Sequence, residues 1–144
     1  MKKVILTLVG VSLCVLLVLG FSEYRTKNFV DTFISNPDEF AEAVDSVVIW
    51  ANNDTSTTSE VIVNQVDVQF NEIQSAFSEW EMKRTIFKEL DLNRQTYGVN
   101  FTNAENPMNS FNILIDEDGM INVNGYEYEL VSGSSIEELI ERVK

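Results

Sequence analysis

No histidine occurs among the 144 residues, and the single cysteine, Cys14, lies in an apolar N-terminal run. Without histidine neither a Ser–His–Asp nor a Cys–His nucleophile can be assembled. The usual zinc, copper and haem ligand sets are missing as well, so no cofactor is implied. One cysteine cannot form an internal disulfide. Only carboxylate, Ser–Lys or tyrosine chemistry is left for catalysis, and the chain reads as a non-enzyme. Positive charge is also scarce, with 10 Lys and Arg against 23 Asp and Glu. A surface this acidic repels nucleic acid and anionic lipid headgroups, and it keeps a domain soluble.

What the chain does have is an uncharged apolar run at 4–21, opened by Lys2 and Lys3. As a helix it would span roughly 27 Å, close to the hydrocarbon thickness of a bilayer. The positive charge ahead of it keeps the N-terminus cytoplasmic and sends the remainder across. Secretory signal cores run to about 7–15 residues, which favours an uncleaved anchor. The alternative is a cleaved signal peptide, with small residues at Gly20 and Ser22 offering a cut. Val11-Ser12-Leu13 lacks the small residue that a lipid-attachment site places before its cysteine. Cys14 therefore reads as an apolar thiol inside the helix. The expected organisation is a cytoplasmic stub at 1–3, an anchor or signal segment at 4–21, a juxtamembrane helical segment at 22–36 and a folded domain at 37–144.

Within the exported part, Phe29, Val30, Phe33 and Ile34 share one helical face, beside the bilayer or the domain. Asn36-Pro37 ends that helix and caps the next, with Asp38 and Glu39 at its positive end. Phe40, Val44, Val47, Val48 and Ala51 continue at helical spacing, although Val47-Val48-Ile49-Trp50 is also β-prone. A polar stretch at 52–59 reads as an exposed loop. Ile62, Val66, Phe70, Ile73, Phe77 and Trp80 make one helical stripe, preferred over a strand that would need a slip between Val63 and Val66. Glu79 and Lys83 add an i,i+4 pair, and the helix is expected to end near Leu90.

From Tyr97 the period changes to two. Tyr97, Val99 and Phe101, then Phe111, Ile113 and Ile115, alternate with polar or small neighbours. A turn at Asp116-Glu117-Asp118-Gly119 leads to Ile121 and Val123. Asn124-Gly125 is a hairpin signal, and Tyr126, Tyr128 and Leu130 follow on one face. Such a meander needs a cover for its apolar face. Ser134 and Ser135, three residues before Glu137 and Glu138, offer a capping box for a closing helix bearing Ile136, Leu139, Ile140 and Val143. The expected fold is α+β: two to three helices on an antiparallel meander of about four strands, with a short C-terminal helix.

Few residues suggest chemistry. Asp116 and Asp118 are weak metal candidates. A calcium loop in this register would need acidic ligands where Leu114 and Gly125 stand, so a solvated turn is the simpler reading. Glu127 and Glu129 share a strand face and could serve as paired carboxylates, but a solvated strand face is much the simpler reading. Asn53-Asp54-Thr55 and Asn100-Phe101-Thr102 fit the glycosylation pattern. Trp50 and Trp80 are expected in helical core stripes. Residues 107–144 resemble the end of a thioredoxin-like domain in their order of proline, strand, acidic-Gly hairpin, strand and helix. The chain has no Cys-x-x-Cys and adds an Asn-Gly hairpin, so the family is not assigned. The reading that remains is a membrane-tethered extracytoplasmic domain that binds a protein partner as an accessory, regulatory or inhibitory subunit. The alternatives are a carboxylate enzyme on envelope glycans and a secreted binding protein.

Overall fold

The computed structural model describes the backbone of residues 2–34, 40–52 and 60–144, and the side chains of 9–34, 40–51 and 61–144. Helix α1 (Lys2–Glu23) leads into strand β1 (Thr26–Asn28), α2 (Phe29–Phe33) and α3 (Phe40–Ala43). Strands β2 (Ser46–Asn52) and β3 (Glu60–Asn64) precede α4 (Gln69–Glu79) and β4 (Glu81–Arg84). The meander β5 (Thr96–Thr102), β6 (Phe111–Asp116), β7 (Met120–Val123) and β8 (Tyr126–Ser132) ends in α5 (Ile136–Val143). All eight strands join one antiparallel sheet in the order β1-β4-β8-β7-β6-β5-β2-β3.

The α+β class and the four-strand meander match the sequence pattern; the strand total does not. Four further strands flank the meander, two on each side. The stretch through Val47 and Ile49 is β2 rather than the end of a helix. Its register sets Val47 against Phe101 and Ile49 against Val99, which buries both side chains under the helices. Tertiary pairing here decides an ambiguous local pattern in favour of its β-branched residues.

The long helix expected through 62–90 divides in three. Val61, Ile62 and Val63 belong to β3. Asp67 then accepts hydrogen bonds from the backbone N–H and the side chain of Asn64, holding a turn that stops the strand. Helix α4 keeps the second half of the stripe, with Phe70, Ile73 and Phe77 buried, while Val66 is 91% exposed. Lys83 lies on β4, so it forms no helical pair with Glu79.

The described part of the 22–36 segment, 22–34, is only partly helical, and it belongs to the folded body. Asn28 accepts from the N–H groups of Val30 and Asp31, capping α2, and its amide donates 2.7 Å to the carbonyl of Ser78. That puts Phe29 at the centre of the core, with ring centroids 5.2 Å from Phe77, 5.7 Å from Trp80 and 5.8 Å from Phe101. Trp80 is buried in that cluster just past α4, whereas Trp50 stands on the opposite face of the sheet, over Gly98. Helix α5 forms as the pattern requires, with the box closed by Ser135 and Glu138. The Asn36-Pro37 cap, the 53–59 part of the polar loop and the Asn53 acceptor lie outside the described residues.

Candidate functional site

The end of the sheet where α1 arrives gathers the groups of most chemical interest. Because β1 is antiparallel to β4, with Thr26 opposite Lys83, the chain leaving β4 runs back beside the chain leaving α1. Arg84 therefore meets Glu23, its guanidinium donating to the Glu23 carboxylate, and Lys27 adds a contact of 3.4 Å. The hydrogen bond from Arg84, then that from Lys27, holds the Glu23 carboxyl below its ordinary value. The same bond raises Arg84. Arg84 also lies 4.2 Å from the ring centroid of Tyr126 and 5.9 Å from that of Tyr24. Two rings and a carboxylate thus surround one guanidinium, a planar cation suited to both kinds of neighbour.

Beyond Arg84 the chain turns sharply. The Thr85 N–H donates 2.9 Å to the carbonyl of Glu127, and its hydroxyl accepts from the N–H groups of Phe87 and Lys88, each at 3.3 Å. The turn points Ile86 and Phe87 outward. A cleft of about 380 Å³ lies between them and Tyr24, Lys83, Arg84 and Glu129. In the sequence Arg84 falls in the stretch expected to continue the helix toward Leu90, and nothing local marks it. The signal for the turn was the pair Ile86-Phe87, apolar residues set between Thr85 and Lys88.

Asp116 and Asp118 are employed in their own turn. One oxygen of the buried Asp116 accepts from the N–H of Asp118 at 3.0 Å and of Met120 at 2.9 Å, and the other takes the Asp91 N–H at 3.4 Å. Asp118 pairs with Arg94. Among the described residues no three His, Cys, Asp or Glu stand together as a metal site would require. Glu127 accepts from the Asn122 amide at 2.6 Å, and Glu129 pairs with Lys88. Asn100 is half-buried in β5. A second cleft, about 520 Å³, is lined by Phe33, Val44, Met108, Phe111 and Asn124, among others.

Among the described residues no helix is long and apolar enough to cross a membrane. The part of α1 whose side chains are described, from Val9 on, is nonetheless apolar and uncovered, its Val, Leu and Phe residues 51–81% exposed. In comparisons with known proteins the chain matches no family model, no curated protein and no solved structure, so the thioredoxin-like resemblance gains no support.

Proposed function

We propose that the chain is a membrane-tethered extracytoplasmic interaction domain, with α1 its anchor and a protein in or near the same membrane its partner. The observation that carries the reading is the uncovered apolar helix. Nine large apolar side chains from Val9 to Phe21 stand exposed with no part of the fold over them. At about 1.5–3 kcal/mol for each large apolar side chain taken out of water, this leaves on the order of 10 kcal/mol to be gained from an apolar surrounding. A bilayer supplies it. Only Tyr24 and Arg25 separate α1 from β1, so the domain begins directly at the helix end, where Glu23 meets Arg84. A tethered domain needs less affinity per contact, because its partner is already at high local concentration.

Crosslinking intact cells, extracting with mild detergent and recovering the chain tests this. The expected result is full-length chain in the membrane fraction with one membrane protein in stoichiometric amount. Recovery of a chain starting near position 21 from the medium would sink the tether. Full-length chain without a partner would sink the accessory role.

A further inference from the structure

The rim of the sheet beside the end of α1 carries a set of groups that the anchor alone does not use. Phe87 is 92% exposed and Ile86 61%, and both line one cleft with Tyr24, just past the end of α1. Tyr126 belongs to the same rim. Arg84 pairs with Tyr128 in β8, so Tyr126 lies two residues further toward the helix end. Met108 is also exposed, on the turn before β6. Three strand steps at roughly 20–25° of twist each carry it well round from this rim.

Charge is distributed in the same sense. Past position 21 the chain has only eight Lys and Arg, and Arg25, Lys27, Lys83, Arg84 and Lys88 are all near this rim. Of the carboxylates there, Glu23 and Glu129 are paired with cations and Glu127 accepts from the Asn122 amide. The acidic groups of the β6–β7 turn, Asp116, Glu117 and Asp118, lie at the other end of the strands. Exposed aromatic and apolar tips among cations, on an otherwise acidic body, suit the headgroup layer of a bilayer. The turn is held by the Thr85 hydroxyl, so its apolar tips are presented without further ordering.

We propose that the Ile86–Phe87 turn, with Tyr24 and Tyr126, inserts into the phospholipid surface that α1 enters, while Arg25 and Lys83 face the headgroups. The rim thereby seats the domain at a fixed attitude on its own membrane. This rests on the reading of α1 as an anchor. The occupant is lipid rather than protein because the rim is continuous with the apolar helix and gathers five of the eight Lys and Arg past position 21.

The test uses the full chain carrying Cys14→Ser, reconstituted into vesicles of phosphatidylethanolamine and phosphatidylglycerol. Single cysteines replace Phe87, Val15 in α1, or Val131 near the far end of β8, each labelled with an environment-sensitive dye. The expected result is blue-shifted emission at 15 and 87, quenched by spin-labelled lipids, with water-like emission at 131. A water-like signal at 87 with a lipid signal at 15 would overturn the rim and leave the anchor standing. A blue shift at 87 without lipid quenching would mean a protein contact and would also overturn it. Water-like signals at both 15 and 87 would remove anchor and rim together.

Discussion

Gly133 shows how closely single residues are specified. Its φ of +112° lies in the region that L side chains avoid, and a Cβ there would stand 2.6 Å from Cδ1 of Trp80 and 3.2 Å from its Cα. Trp80 is fully buried, and its indole N–H finds no partner among the described residues, so packing alone fixes the ring. Gly133→Ala combines backbone strain with overpacking and should cost roughly 2–4 kcal/mol in urea unfolding of the detergent-solubilised chain. Gly125 has a similar φ of +80° but nothing within 4 Å of an added Cβ. Gly125→Ala should therefore cost only about 1–2 kcal/mol. Equal losses would show that crowding against Trp80 contributes nothing.

At the scale of elements, the joint between α1 and the sheet includes one carboxylate beside the β1–β4 pairing. The ordinary value of Glu23 is 4.5, and Arg84 and Lys27 lower it in the folded chain. Its contribution is therefore complete above the ordinary value and disappears as pH falls through the lowered one. Glu23→Gln should speed amide exchange of Thr26–Asn28 at neutral pH, and by no more than roughly a few-fold, since exposed ion pairs are weak. Once the pH is low enough to protonate Glu23 in the parent, variant and parent should exchange alike. A difference that persists there would place the effect elsewhere.

The meander and α5 could be read in advance because their signals are local: alternation, an Asn-Gly turn and a capping box. Asn124 takes the positive φ that this turn demands, at +52°. β2 and β3 could not be read so, because Val47 and Val63 satisfy either period until β5 supplies a partner for β2 and β2 one for β3. β1 was hidden for another reason. Three residues, Thr26–Asn28, carry no periodicity, and only the distant register with β4 makes them a strand. The groups around Arg84 were equally illegible, because they come from three separate stretches, at 23–27, 83–88 and 126–129. Asp116 was read as open to solvent, whereas its carboxylate is committed to backbone N–H groups.

Seen as a whole, the molecule is polarised: helices on one sheet face, cations near the α1 end and a run of carboxylates at the β6–β7 turn. The strand order adds an asymmetry in time. Thr26 leaves the synthetic machinery early, but its partner Lys83 comes far later and itself pairs with Glu129 near the C-terminus. Long-range pairings of this kind are slow to close. The segment that follows α1 is thus made early and is among the last secured. A chain arrested before residue 126 should leave residues 24–28 open to protease, and extension through Ser132 should protect them; protection in the shorter chain would refute this order. Until its own C-terminal part has arrived, the domain hangs from its helix by a free cord.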